Sequence, residues 1–477
     1  MWRNRFGTSL CLSLLLLMSA GAVSSCGGGS GSLNNTPPPA TPTVSLTANA
    51  TSIVSGQSST LTWSSTGASS CAATDSWSGP EAISGSTNIT PTATGTAAYT
   101  LTCTGAGGMQ SATVNINVKP NVSPSPSPST ITFDAPGAGT VAGQVPLPQG
   151  TFPYAINETG AIGGDFQDAN NVLHGFFRAA DGLIVAFDAP GAGIGAFQGT
   201  QGFAINSEGA IVGKMIDAGY VPHGMLRASD GTITTFDAPG AGTGADQGSV
   251  AMNIGPGGVI AGIYLDVNDV VHTFLRAPDG AITPIDVPEA GTGAFQGTAV
   301  CGVDCLNPQG AIVGYFIDRN NVNHGFLRAP DGVIVAFDAP GAGTGAGQGT
   351  FALGINGVGV IAGSYLDANN VYHGFARNPD GTMTVVDVPG AGTGSSLGTL
   401  PSSINSQGAI TGQYLDGNNV THGFLRDEYG TITTFDVPAA GTASNRGTTP
   451  ASNIDSNAIT GWYTDASGLY HGFLRTG

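Results

Sequence analysis

Residues 324–343 read HGFLRAPDGVIVAFDAPGAG. A histidine, an arginine and two aspartates in one short stretch are the residue types of general acid–base catalysis or of a metal site. All seven histidines of the chain, however, lie in copies of this stretch: His174, His223, His272, His324, His373, His422 and His471. An arginine follows each by four residues, at Arg178, Arg227, Arg276, Arg328, Arg377, Arg426 and Arg475. Two aspartate ladders accompany them. One is the Asp-x-Pro of FDAPGAG, at Asp134, Asp188, Asp237, Asp286, Asp338, Asp387 and Asp436. The other precedes each histidine, at Asp168, Asp217, Asp266, Asp318, Asp367, Asp416 and Asp465. A catalytic centre needs a few converging groups with different roles. Identical groups repeated along the chain give one environment many times. The histidines and arginines are therefore read as structural, bonding the backbone or the aspartate ladders, with repeated metal sites as the competing reading.

The turns that precede the histidines (Asp-Ala-Asn-Asn in LDANNVYHGF) are oxygen-rich but lack the following glutamate of a calcium loop, so they read as Asx turns. The glycine-rich loops contain no Gly-Lys-Ser/Thr and do not match a phosphate cradle. No catalytic triad stands out, and neither a metal nor a cofactor is implied. Positions that differ between copies are better ligand candidates. After the glycine of AIVG come Asp165, Lys214, Ile263, Tyr315, Ser364, Gln413 and Trp462. Of these, Asp165, Lys214, Tyr315, Gln413 and Trp462 are the candidate binding residues, on a surface reading an asymmetric ligand. The alternative is an exposed position free to drift.

The elements that carry these residues are legible from the turns. The histidines recur every 49 residues, with one interval of 52 between His272 and His324. Such a period means a propeller or an array. Within a unit, AINSEGAIVG, LDANNVYHGF and RAPDGVIVAF each bend once between apolar runs, so three bends join four antiparallel strands. Seven such units predict an all-β, seven-bladed β-propeller over 131–477, since radial closure protects strand edges. From each histidine to the next Asp-x-Pro the spacing is constant. From Asp-x-Pro to the next histidine it varies, which places the crossing between blades in PGAGTGAGQGT. The chain then enters on an outer strand, Ile131 to Asp134, and ends on a third strand, His471 to Arg475. The first segment should complete the last blade.

The motif HGFLRxPDGxITxFDxPGAGT, with AINxxGAIVGxYxD between copies, resembles the bacterial extracellular repeat family called HAF, with Gly or Thr in place of its Ala. The resemblance implies an exported, propeller-like protein and supplies no catalytic residues. Upstream, 43–119 alternates with period two (STLTW, YTLTC), which predicts a small N-terminal β-sandwich. TLTWSSTGASSC and YTLTC resemble bacterial immunoglobulin-like modules, although Trp63 precedes both Cys71 and Cys103. Pro/Ser-rich linkers cover 26–42 and 120–130.

Residues 1–25 have a basic start and an apolar run too short to span a bilayer, as in a secretory signal. Ala-Val-Ser-Ser before Cys26, with a glycine-serine tract after it, resembles the bacterial lipobox and implies lipidation of Cys26; the alternative is an ordinary cleavage site. Either reading implies export, with the membrane as a partner through the anchor. Of the six cysteines, Cys11 falls in the leader and Cys26 is the lipid candidate. The other four form two local pairs, Cys71 with Cys103 and Cys301 with Cys305, which in an exported chain favours disulfides over metal ligation. Net charge is −18 with no basic stripe, which argues against nucleic acid. The expected role is a monomeric cell-surface protein binding a glycan or another protein. A hydrolase or lyase at the channel mouth, or a purely structural component, are the alternatives.

Overall fold

A computed structural model describes residues 39–119, 128–142, 149–300 and 304–477. These separate into two compact units, 39–119 and 128–477. The leader, Cys26, the segment 120–127 and Cys301 lie outside the described residues.

The smaller unit is all-β. Its strands are β1 (Thr43–Asn49), β2 (Ser52–Val54), β3 (Ser59–Thr66), β4 (Ser70–Asp75), β5 (Gly79–Glu81), β6 (Ser84–Ile89), β7 (Gly95–Gly105) and β8 (Gly108–Lys119). They form one sheet ordered β1-β3-β6 and a second ordered β2-β8-β7-β4-β5. The alternating apolar residues of both sheets meet in one core: Leu46, Leu61 and Trp63 from the first, Tyr99, Leu101, Ile116 and Val118 from the second. Cys71 and Cys103 form the expected disulfide. They face each other on adjacent strands, β4 and β7, so the bond staples one sheet rather than joining two.

The larger unit is a propeller-like ring. Among the described residues, twenty-eight strands form one sheet, hydrogen-bonded in successive antiparallel groups of four. The first group is Gly150–Ile156, Ile162–Gln167, Leu173–Arg178 and Ile184–Phe187, and the histidine lies on the third strand. The pattern recurs to the chain end. There Tyr470–Thr476 takes its outer partner from the start of the ring, Ser129–Phe133, with Gly472 opposite Phe133 and Thr476 opposite Ser129. The expected closing strand is thus present and begins two residues earlier than the pattern suggested. The innermost strands are almost wholly buried, and the outer ones largely exposed.

Two glycines per unit explain why the repeat is written so rigidly. A glycine, in Gln-Gly-Thr in four units, opens each innermost strand with a positive φ, 118° at Gly199. A Cβ there would lie 2.0 Å from the Leu173 carbonyl oxygen of the preceding unit, and the equivalent distances elsewhere are similarly impossible. The Gly of AIVG receives the ring of the His-Gly-Phe phenylalanine: a Cβ on Gly164 would sit 2.6 Å from Phe176. These phenylalanines are among the largest fully buried side chains of the molecule.

Candidate functional site

The repeated chemistry resolves into three fastenings. In every unit the histidine Nδ1 is hydrogen-bonded to the Asp-x-Pro carboxylate, at 2.8 Å for His174–Asp188 and for His373–Asp387. Its Nε2 faces the turn aspartate at 3.6 to 3.9 Å. In six units the ring also stacks on an aromatic of the second strand, such as Tyr264 under His272 with centroids 4.8 Å apart. The seventh pin is made between the chain ends, His471 with Asp134. The Asp134–His471 hydrogen bond holds that imidazole above its ordinary pKa, and Asp286 does the same for His272; burial opposes both without prevailing. Burial also works against ionisation of Asp266 and Asp465. Backbone amides of their turns, which donate to them, overcome it and leave both carboxyls below the usual range.

The turn aspartates act as Asx turns. Asp168 Oδ1 accepts from the amides of Asn170 and Val172, each at 2.8 Å. The residue after each Asp-x-Pro aspartate is fastened to the next unit: the Ala189 amide donates to Thr200 Oγ1 at 2.8 Å, and all seven units repeat the bond. The arginines reach across as well. Arg276 lies over Phe236 and Arg475 over Phe435, each on the outer strand of the preceding unit, at 4.8 and 4.6 Å. The expected backbone bonds are present as well: Arg178 Nη1 donates to the Ala179 carbonyl oxygen and Arg227 Nη1 to that of Ala228, each at 3.4 Å. A guanidinium on a long stem covers the neighbour's ring while its own outer strand lies elsewhere.

The variable positions are not an open surface. Asp165 is fully buried and Lys214, Ile263, Tyr315 and Ser364 nearly so. They sit on the second strand, where the side chain packs against the innermost strand of the next unit. Gln201 Nε2 donates to Asp165 Oδ1 across one such seam at 3.2 Å. Tyr315 meets Phe351 across another, with centroids 5.1 Å apart. Trp462 meets Phe152 and Tyr154 across the seam that closes the ring, at 6.0 and 5.5 Å. Lys214 lies over Phe203 at 5.8 Å. Burial correlates with side-chain variety here because each seam must be filled differently. Gln413 and Trp462 are the exceptions: both are half-buried.

Sequence reasoning misses two features. The facing position, third in each innermost strand, varies as widely: Phe152, Gln201, Val250, Ala299, Phe351, Leu400 and Thr449. Its variation is visible in the sequence; its pairing with the other set is not. The second is Asp304, in the three-residue insertion of the fourth unit. Its backbone bridges Gly354, and its carboxylate accepts from Ser403 Oγ at 2.5 Å and the Ile404 amide at 3.1 Å, two units on. Dense packing pushes that carboxyl up to about 6 despite these bonds, although part of the residue remains exposed. Cys305 beside it is buried, and its expected partner Cys301 lies outside the described residues. Among the described residues, no group of three or more His, Cys, Asp or Glu is arranged to hold a metal ion, and no helix is long and apolar enough to cross a membrane.

No family model matches the chain, and no curated protein sequence does. Among solved structures, a fungal lectin described as a six-bladed β-propeller, from Aleuria aurantia, is 10% identical over 67% of this chain and 92% of its own, with a TM-score of 0.32. Puromycin hydrolase is 12% identical over 67% of this chain and 53% of its own, with a TM-score of 0.35. A mutant of AofleA from Arthrobotrys oligospora is 10% identical over 72% and 88%, at 0.29.

Proposed function

We propose that this chain is an exported, lipid-anchored binding protein of the cell surface, a member of the HAF-type repeat proteins. In this reading Cys26 carries the lipid, residues 43–119 are an immunoglobulin-like spacer, and 131–477 is a seven-bladed propeller that presents the ligand site. The ligand is a glycan or another surface protein, and the protein acts as a monomer. One observation carries the binding reading over an enzymatic one. The repeated histidines, aspartates and arginines are engaged in fastening units to themselves and to each other, while the residues that differ between units gather in one layer around the axis. A repeated pin offers no division of catalytic labour.

Two measurements test this. The wild-type chain should partition into detergent and Cys26→Ala should not; equal partitioning removes the anchor. The purified chain should retain a glycan or surface protein with a defined affinity and turn over none of the glycans it retains. Hydrolysis or elimination of a retained glycan would make it an enzyme.

A further inference from the structure

At the seven seams between second and innermost strands the facing positions recur in the same register, even where the fourth innermost strand is shortened to Gly297–Ala299, so the side chains at those positions can be compared directly. Six have at least one facing member buried. Asp165 and Gln201, Lys214 and Val250, and Ile263 and Ala299 are buried on both sides. At the next two, Tyr315 and Ser364 are buried opposite half-buried Phe351 and Leu400, and at the ring closure Phe152 is buried opposite Trp462. The seam of Gln413 and Thr449 differs: both faces are half-buried. Thr449 holds the place that Gln201 holds opposite Asp165, yet neither the Gln413 amide nor the Thr449 hydroxyl has a hydrogen-bond partner among the described residues; nor has the Trp462 indole N–H. Strand register sets Leu400 beside Gln413 and Trp462 beside Thr449, so the four residues form one row.

A half-buried amide and hydroxyl without a protein partner remain accessible from outside and are free to bond a ligand's hydroxyls. An indole edge and a leucine flank them, and none of the four bears a charge. We propose that this seam is a binding site for a neutral saccharide: Gln413, Thr449 and the Trp462 N–H hydrogen-bond its hydroxyls, and the indole and Leu400 cover its apolar C–H face. A sugar is the ligand class that presents dense hydroxyls and an apolar face together, whereas a charged glycan would find no counter-ion in this row. The proposal rests on the binding reading above and sharpens it to one site and one class.

The test uses the full chain in detergent, labelled with 5-fluorotryptophan, against an array of neutral hexose, pentose and 6-deoxyhexose oligomers and of uronate- and sialate-bearing glycans. A neutral glycan should bind and shift the fluorine resonance that Trp462→Phe removes. Gln413→Ala, Thr449→Val and Trp462→Phe should each weaken it at least about tenfold, the loss expected for an unpaired hydrogen-bonding group on the ligand. Ile263→Val, in a filled seam, should leave binding unchanged, and all variants should melt within a few degrees of wild type. A neutral glycan that binds these variants with wild-type affinity overturns the site and leaves the binding reading intact. Preference for charged glycans overturns the ligand class. Retention of a surface protein with no glycan bound also overturns the saccharide while leaving the binding reading standing, and retention of neither overturns both.

Discussion

The two units solve the same problem, closing β-sheets against solvent, by opposite means. Residues 43–119 are too few to bury a large core, and a covalent cross-link between β4 and β7 adds what the core lacks. The ring has no such bond among its described residues. It distributes its closure over repeated weak fastenings, and the pin between His471 and Asp134 is simply another of them. One unit therefore depends on a single bond, the other on completing a circle. Each should fail in its own way.

The largest expected effect is on the circle. A chain beginning at Gly137 lacks Ser129–Phe133 and Asp134, which leaves the edge of Tyr470–Thr476 unpaired. Exposed edges pair between molecules, so this chain should melt lower and aggregate. A chain beginning at Ser127, without the sandwich, should stay monomeric with a near-wild-type ring. Hydrogen exchange should lose protection at 460–476; loss confined to 150–178 would show that the ring is closed elsewhere.

Next comes the staple. Cys71 and Cys103 are 32 residues apart, and opening a loop of that size costs about 3.5–4 kcal/mol on a chain-entropy account. Calorimetry of Cys103→Ser should show the sandwich transition displaced far downward and the ring transition unmoved. If both move together, the units are not thermodynamically separate and the contrast fails.

pH should separate the units more gently, because every histidine lies in the ring. The folded pKa values of His272 and His471 are raised, so their contribution is complete below the unfolded value of about 6.5 and is lost as pH rises through the folded one. Asp266 and Asp465 are lowered, so theirs is complete above about 3.9 and is lost as pH falls through the folded value. The ring midpoint should peak between about pH 4 and 6.5 and decline above it. The sandwich should show no decline across neutral pH. A ring midpoint that rises from pH 6 to 8 would contradict the pins.

The smallest effect is a single pin. Sequence alone suggests that removing His373 would strand a buried partner, but the Asp387 side chain is 43% exposed. Water can take the histidine's place, and His373→Ala should cost only about 1 kcal/mol in ring stability. Its loss of ligand binding at unchanged melting temperature would instead make the histidine a binding residue.

Much of the ring is legible in the sequence alone. The ladders of histidine and aspartate, with constant spacing on one side and variable spacing on the other, set four-strand units, place the crossing loops and assign the closing strand. Local rules suffice there: Asx turns, positive-φ glycines and strand alternation act between residues close in sequence. The cysteine pair is legible for the same reason. What the tertiary structure alone decides is what faces what across a seam. Asp165 and Gln201 are 36 residues apart, and Asp304 and Ser403 are 99. Nothing in the 49-residue period says that the residue after AIVG points at the next unit's innermost strand rather than at solvent. Variation therefore looks like an exposed surface when it is mostly individual filling of buried seams. The ring's closure makes the difference, because it sets each second strand against the next innermost strand; Gln413 with Thr449 is the facing pair in which neither side chain is fully buried.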